Sequence, residues 1–279
     1  MYPHALIEFT FFGQQVGIYL YGICIAIGLV ACVSVFYIYT KKAGVHEDIR
    51  DFVFFVAVVG IAIGFLSAKF FQALYDYINN GVWDFAGAGL TVMGGIVGGV
   101  SSGVALYFIA GSFLFKKRDN LHIKQVNDNL RVLPCCVTIA HAFGRLGCLF
   151  AGCCYGKVAE EGHGILIRGV YRVPVQLYES IFLFLLFIVV SILYFKKFNL
   201  THVVYLIAYG IWRIVIETFR ADYRGGADGA LLTPSQWQSF GFIAVGLVIL
   251  AVFIIKKIPI FLKDKGDSGK KEETKAITE

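Results

Sequence analysis

Charged residues are scarce in this chain of 279 residues, at 16% of the total. Soluble domains usually carry about 25%, whereas 58% of this chain is hydrophobic. The apolar residues fall in blocks close to the roughly 20 residues that an α-helix needs to cross a bilayer. The composition therefore excludes an ordinary soluble protein and predicts an all-α, polytopic membrane protein.

Sequence signals of several other classes are absent as well. The N-terminal MYPHALIEF lacks the basic segment of a cleaved secretory signal. No Gly-Lys-Ser/Thr follows the glycine-rich GAGLTVMGGIVGGVSSG, which excludes a phosphate loop. The last apolar block has no lysine for a retinal Schiff base, and the cysteines form no CxxC zinc or redox motif. These absences weaken the case for a metal site, and the net charge of +6 does not imply a nucleic-acid partner.

The apolar blocks predict seven transmembrane helices joined by short loops. Their ranges are 16–39, 51–73, 88–115, 132–151, 175–195, 203–220 and 237–255. The even spacing leaves no room for a separate soluble domain. We therefore expect one seven-helix domain over 1–258, followed by a polar, disordered cytoplasmic tail over 259–279.

Lysine and arginine are distributed unevenly between the two sets of loops. The segments 40–50, 116–131, 196–202 and 256–279 carry seventeen of them, and the alternate segments carry four. Because cytoplasmic loops carry the excess of positive charge, the N-terminus is predicted outside and the C-terminus inside the cell.

Two arginines lie well inside predicted spans. Arg145 and Arg213 each cost at least about 2.5 kcal/mol to insert, and such residues face the interior of a helix bundle. His141 is four residues before Arg145, and Tyr209, Arg213 and Glu217 are spaced i, i+4, i+8, so each set shares one helical face. An ion pair that only holds helices together is the alternative. The predicted outer-leaflet location favours a site for an anionic ligand.

Helix-breaking residues surround Arg145. Pro134 can open the fourth span near its inner end. Gly147, Gly152 and Gly156 predict that the same helix breaks near the outer face, where irregular backbone lines a cavity. In the third span, Gly94/Gly98, Gly95/Gly99 and Gly99/Gly103 are small-xxx-small pairs that predict close helix packing.

The cysteines allow three interpretations. Cys148, Cys153, Cys154, His141 and His163 could converge on a metal, or adjacent cysteines could form a redox pair. Small packing residues are the default.

Several segments together resemble one family, the bacterial prolipoprotein diacylglyceryl transferases. The resemblance covers nearly the whole chain in the family's order. The matching segments are Tyr21–Gly22, GLTVMGG at 89–95, GRLGCLFAGCCYG at 144–156, VPVQLYE at 173–179, YGIWRIVIETFR at 209–220 and LTPSQW at 232–237. The GRxG and YGxxRxxxExxR blocks are the most specific of these.

The resemblance implies an enzyme of the bacterial plasma (inner) membrane in lipoprotein biosynthesis. Such enzymes move the diacylglyceryl group of phosphatidylglycerol to the lipobox cysteine of a preprolipoprotein and release glycerol-1-phosphate, without a metal or cofactor. The resemblance also implies that Arg145 binds the lipid phosphate and that Arg213 is a second essential arginine, held by Tyr209 and Glu217. The remaining residues implied to line the lipid site are Tyr21, Gln176, Tyr178, Glu179, Gly144 and Gly147.

The chain departs from the family pattern at four positions. Asn is usual where Cys148 and Ala151 stand, Glu where Cys153 stands, and His where Met93 stands. His141, on the Arg145 face, is the hypothetical replacement base. The alternatives are a diverged paralogue that uses another acceptor, and a non-enzymatic transporter that binds lipids or anions.

Overall fold

The computed structural model describes residues 5–11, 14–160, 162–167, 169–221 and 232–262. The chain divides into two compact units: Met1–Tyr39 with Leu130–Glu279, and Thr40–Asn129. Most of the predicted tail, residues 263–279, lies outside the described residues. Its first residues are not free, because the Asn199 amide donates to the Ile260 carbonyl at 2.7 Å.

Each of the seven predicted spans coincides with a helix. The helices are α1 (Leu20–Lys42), α2 (Glu47–Asn80), α3 (Val92–Leu114), α4 (Leu121–Lys124), α5 (Val126–Ala151), α6 (Val175–Phe195), α7 (Thr201–Glu217) and α8 (Pro234–Ile255). In the described part of the chain, α1, α2, α3, α5, α6 and α8 are long and apolar enough to cross a membrane. The chain is therefore a multi-pass membrane protein.

Two short antiparallel hairpins accompany the helices, which the sequence analysis did not foresee. Strands β1 (Ile7–Phe11) and β2 (Gln14–Ile18) pair ahead of α1, so the first helix begins at Leu20 rather than at residue 16. Strands β3 (Ile165–Ile167) and β4 (Val170–Arg172) pair between α5 and α6. The two strands of each hairpin hydrogen-bond to each other, which satisfies backbone groups that lie outside the helices.

Capping residues mark both ends of α2 and the start of α8. The His46 side chain accepts a hydrogen bond from the Asp48 amide at the start of α2, and Gly81 ends that helix with φ +71°. At α8, Thr233 and Gln236 form a reciprocal capping box, with Pro234 in the first turn.

In the unit Thr40–Asn129, α2 and α3 pack through glycine. A Cβ at Gly64 would lie 3.1 Å from the Gly95 carbonyl oxygen, and one at Gly99 would lie 3.2 Å from the Gly60 carbonyl oxygen. The predicted close packing is thereby confirmed for Gly95 and Gly99, whereas nothing lies within 4 Å of a Cβ at Gly103.

The expectation that Pro134 opens the fourth span is wrong. α5 runs without interruption from Val126 to Ala151, with Pro134 inside it. Proline removes the hydrogen bond to the carbonyl four residues earlier, that of Leu130. The next carbonyl, that of Arg131, accepts from the Thr201 hydroxyl on α7 at 2.8 Å, so a neighbouring helix holds this turn in place.

In the unit that contains α5, α6 and α7, buried polar contacts tie the helices together. The Arg131 side chain donates to the carbonyls of Tyr194 and Phe198 at 3.0 and 3.1 Å. The Ser180 hydroxyl donates to the Ala142 carbonyl at 2.9 Å. This bond joins the residues that follow His141 on α5 and Glu179 on α6, so it fixes the distance between the two helices beside those site residues.

Candidate functional site

The predicted polar residues of three helices meet at Glu179. This α6 carboxylate is completely buried. Its Oε2 lies 2.9 Å from the Arg145 Nε on α5 and 3.6 Å from the Arg213 Nη1 on α7. Its Oε1 accepts a hydrogen bond from the Tyr209 hydroxyl at 3.1 Å and lies 3.8 Å from the His141 Nε2. We call Glu179, Arg145, Arg213, His141 and Tyr209, with Glu217 and Arg220, the ionic cluster.

The remaining ion pairs of the ionic cluster run along α7 and the residues just after it. The Arg213 Nη2 lies 3.0 Å from the Glu217 Oε2, at the i, i+4 spacing of one helical face. The same carboxylate oxygen lies 3.8 Å from the Arg220 Nε. All three side chains are almost completely buried. Arg213 therefore links the two carboxylates, as the sequence spacing predicts for Glu217.

Polar residues before and at the start of α8 complete the cluster. Ser235 accepts a hydrogen bond from the Arg213 Nη2 at 3.1 Å, and the Thr233 hydroxyl donates to the Glu217 Oε1 at 3.3 Å. Neither residue was among the predicted site residues. Their segment, LTPSQW, was part of the family resemblance, so a signal for them was present in the sequence.

Among its described side chains, the ionic cluster has an excess of positive charge. Three guanidinium groups there face two carboxylates, which leaves one net positive charge with His141 neutral. Within the described residues, the Arg145 Nε and the Arg213 Nη1 both lie at ion-pair distance from the Glu179 Oε2 without a hydrogen bond of acceptable geometry. The net charge favours an anion as the ligand of this cluster.

His141 lies at the edge of the ionic cluster. Its side chain keeps 29% exposure, whereas that of Glu179 has none. Its ring packs edge-on against Tyr209 with centroids 5.3 Å apart. The imidazole is therefore more accessible than the carboxylate that it lies beside.

Some of the other predicted site residues are buried or closely packed, and the rest are less crowded or exposed. Gln176 is completely buried and donates to the Cys153 carbonyl at 2.6 Å. A Cβ at Gly147 would lie 3.1 Å from the Tyr21 ring, so that glycine allows α5 to pack closely on α1. Gly144 is less crowded, because its nearest neighbour would be Ile25 at 3.9 Å. Tyr178 is 44% exposed and takes no part in the described ion pairs of the cluster.

α5 ends just beyond Arg145 in a Schellman turn. Gly152 has φ +65°, the Cys153 amide donates to the Cys148 carbonyl at 3.2 Å, and the Gly152 amide donates to Leu149 at 3.1 Å. The predicted end of helix near these glycines is thereby confirmed. The turn brings the thiols of Cys148, Cys153 and Cys154 within 4.8 Å of one another. Neither His141 nor His163 belongs to this group, which is the one such group in the described residues.

Gly156 fixes the chain that leaves this turn. Its amide donates to the Val173 carbonyl at 3.0 Å, and the next amide, of Lys157, donates to Phe219 at 2.9 Å. The backbone thus connects the segment before α6 with the segment after α7. These bonds hold the ends of α5, α6 and α7 together, next to the ionic cluster.

Replacement of Gly156 with alanine is expected to lower the melting temperature and the activity together. The new Cβ would lie 2.6 Å from the Val173 carbonyl oxygen and 2.8 Å from that of Phe219. Both are backbone atoms, so the strands must separate. Gly103→Ala is the matched control, because nothing lies within 4 Å of its Cβ position. Equal melting temperatures for the two variants would contradict this account.

The chain is similar to known proteins over most of its length. The family model described as prolipoprotein diacylglyceryl transferase matches residues 8–252. The phosphatidylglycerol–prolipoprotein diacylglyceryl transferase of Clostridium tetani is 32% identical, over 89% of this chain and 98% of its own length. The protein of the same name from Clostridioides difficile is 30% identical, over 90% and 96%. The chain belongs to the prolipoprotein diacylglyceryl transferase family.

Proposed function

We propose that this protein transfers the diacylglyceryl group of phosphatidylglycerol to the lipobox cysteine of a preprolipoprotein. Its relatives carry the name of this activity, and the ionic cluster supports it. The observation that carries the proposal is the net positive charge around the buried Glu179. A phosphodiester carries one negative charge, which this excess neutralises.

The chemistry follows from the charges. The acceptor thiolate attacks the glycerol carbon that bears the phosphate, a C–S bond forms, and the C–O bond to phosphate breaks. The departing glycerol-1-phosphate takes the electron pair and becomes a dianion. Arg145 and Arg213 stabilise that added charge, which is the largest effect that buried, preorganised donors have on such a step.

The acceptor must lose its proton, because the thiolate rather than the thiol is the nucleophile. His141 is the base that this site offers, since it is partly exposed at the edge of the cluster. The Tyr209 hydroxyl already donates to Glu179, so it has an orienting function. Gln176 positions the turn after α5, and Tyr21, Tyr178, Gly144 and Gly147 line the approach of the lipid.

The membrane topology belongs to the same proposal. α7 has 17 residues, and with the other long helices it makes seven spans in one domain over residues 1–258. The positive charge of the loops supports an N-terminus outside and a tail, 259–279, in the cytoplasm. The ionic cluster then lies toward the outer leaflet of the bacterial plasma membrane, where it meets the lipid and the exported acceptor without a cofactor.

His141→Ala is expected to lower the transfer rate about 10²- to 10⁴-fold, the range for loss of a general base. The loss should shrink as the pH rises, because hydroxide then generates the thiolate without the base. The measurement is the initial rate of transfer to a lipobox peptide over a pH series. Glu160→Gln, at an exposed position, is the control. Wild-type transfer by His141→Ala would remove histidine from the mechanism.

The decisive experiment tests the overall reaction. Purified protein is incubated with phosphatidylglycerol and a lipobox peptide, and a diacylglyceryl adduct on the cysteine is sought by mass spectrometry. A peptide with serine in place of the cysteine is the control. An adduct on the cysteine alone supports the proposal. Folded protein that forms no adduct, but moves an anion or lipid across vesicles, would instead support the transporter.

A further inference from the structure

The C-terminal ends of α6 and α8 share a short sequence and a backbone conformation. Each helix is followed by two lysines, Lys196–Lys197 after α6 and Lys256–Lys257 after α8. The second lysine of each pair is left-handed, with φ +58° in the first pair and +51° in the second. The next amide donates to the carbonyl five residues earlier at 3.0 Å, which completes a Schellman turn in both places. Glycine is usual at the left-handed position, so both turns retain a charged side chain where the backbone favours none.

The segment after α8 folds back on the turn between α6 and α7. The Asn199 amide donates to the Ile260 carbonyl at 2.7 Å, and the Leu262 amide donates to the Lys197 carbonyl at 3.0 Å. These bonds bring both lysine pairs to the same end of the three helices, where α6 and α8 end and α7 begins. We call the two bonded segments the basic clip, which comprises residues 196–199 and 256–262.

Two large apolar side chains of the basic clip are exposed. Ile260 is 46% exposed and Phe261 is 57% exposed. The backbone beneath them is fixed, because the buried Asn199 side chain donates to the Pro259 carbonyl at 3.1 Å. The ring of Phe261 packs against that of Phe198, with centroids 5.4 Å apart. A fixed segment that presents apolar side chains next to lysines is typical of a chain that lies in the interface of a membrane.

The sequence provides no acidic residue in or next to the basic clip to balance its lysines. Neither 180–216 nor 234–262 contains an aspartate or a glutamate. The tail that follows, 263–279, carries five lysines and five acidic residues, so its own side-chain charges balance. The four lysines of the basic clip therefore form a surplus of positive charge, which an anion from outside the chain can neutralise.

The basic clip is distant from the ionic cluster. Glu179 lies in the second turn of α6 and Lys196 directly follows its last residue. At a rise of 1.5 Å per residue, that part of the helix spans about 25 Å. An anion bound at the basic clip therefore occupies a second site and does not extend the first.

We propose that the basic clip binds the headgroups of anionic phospholipids, with its lysines on the phosphates and with Ile260 and Phe261 among the neighbouring acyl chains. Lysines near a membrane surface are attracted to anionic lipids. The two apolar side chains favour a lipid over a soluble phosphate, because only a lipid offers them an apolar surface. This site goes beyond the proposed function, since the lipid is bound there and is not consumed.

Fluorescence quenching by brominated lipids tests the proposal at the basic clip itself. The full chain with Phe261→Trp is placed in phosphatidylcholine bilayers that contain brominated phosphatidylserine or brominated phosphatidylcholine. The signal of the chain without this substitution is subtracted, because the protein has three tryptophans of its own. Phosphatidylserine is expected to bind about fivefold more tightly than phosphatidylcholine, the attraction of a single lysine to an anionic surface, and the preference should decrease in high salt. Equal quenching by the two lipids would overturn the proposal.

Replacement of the four lysines tests their contribution in the same assay. Lys196→Gln and Lys256→Gln remove two charges, and Lys197→Asn and Lys257→Asn remove the other two with a residue that tolerates the left-handed conformation. The fourfold variant should bind the two lipids about equally, because its surface has lost the charges that attract anionic lipid. A preference that persists in this variant would overturn the proposal.

Three comparisons distinguish the lipid from other occupants. Lys116→Gln/Lys117→Gln, at an exposed lysine pair of the other unit, is the matched control and should retain the preference, as should Arg145→Ala. Loss of the preference in Arg145→Ala would place the lipid at the ionic cluster and overturn the proposal. Conversion of the acidic residues of the tail to amides should change nothing, and a preference that appears only then would mean that the tail occupies the lysines. Competition by soluble glycerol phosphate would identify a phosphate site and not a lipid site.

Discussion

Arg145→Ala is expected to reduce diacylglyceryl transfer by about 10²- to 10³-fold, the usual effect of removing one donor that stabilises developing negative charge. The guanidinium is fixed by Glu179 at 2.9 Å, so it meets the phosphate without reorganisation. The loss should fall mainly on kcat, because the phosphate gains its second charge only as the C–O bond breaks. Initial rates at varied phosphatidylglycerol concentration measure both parameters.

One further variant, Arg145→Lys, separates charge from geometry at this position, and Arg118→Ala is its control. Arg145→Lys keeps the charge but lacks the planar fork of donors, so its rate should lie between those of wild type and Arg145→Ala. Arg118→Ala removes an arginine that pairs with Asp48 at an exposed position and should transfer normally. A rise in KM alone for Arg145→Ala would mean that the arginine only binds the lipid. Transfer by Arg145→Ala at the wild-type rate would remove it from the site.

The spacing of the polar residues predicted which of them share a helix face, but not which residues of different helices contact each other. The i, i+4 spacing in α5 and α7 correctly placed His141 with Arg145, and Tyr209 with Arg213. Glu179 emerged as one candidate among several residues on α6. Its central position depends on packing between helices, such as the hydrogen bond from Ser180 to Ala142, and no local pattern encodes that contact.

Local signals did not decide the path of the backbone on their own. Pro134 is a helix breaker by its own chemistry, yet α5 continues through it, in a turn that α7 contacts through the bond from Thr201 to the Arg131 carbonyl. The cysteines were similarly ambiguous, since their sequence spacing matches no metal motif. The left-handed residues Gly152 and Cys154 fold them together, and a spacing rule for regular helices does not describe that turn.

Glu179→Gln is expected to destabilise the protein by about 3–5 kcal/mol, because removal of one partner leaves buried charges uncompensated. The net charge of the ionic cluster rises from one to two. Arg145 loses its described partner, whereas Arg213 keeps Glu217 at 3.0 Å. The measurement is the melting temperature in nanodiscs, with Glu160→Gln as the control on the exposed surface. A melting temperature equal to that of the control would contradict the central position of Glu179.

The double variant Glu179→Gln/Arg145→Gln separates stability from catalysis. It restores the original net charge of one, so its loss of stability should be smaller than the sum of the two single losses, the sign of direct coupling in a double-mutant cycle. Transfer should not recover, because the guanidinium that receives the phosphate charge is absent. Additive losses would show that the two side chains do not interact. Recovery of transfer with stability would show that the arginine serves only to neutralise the buried carboxylate.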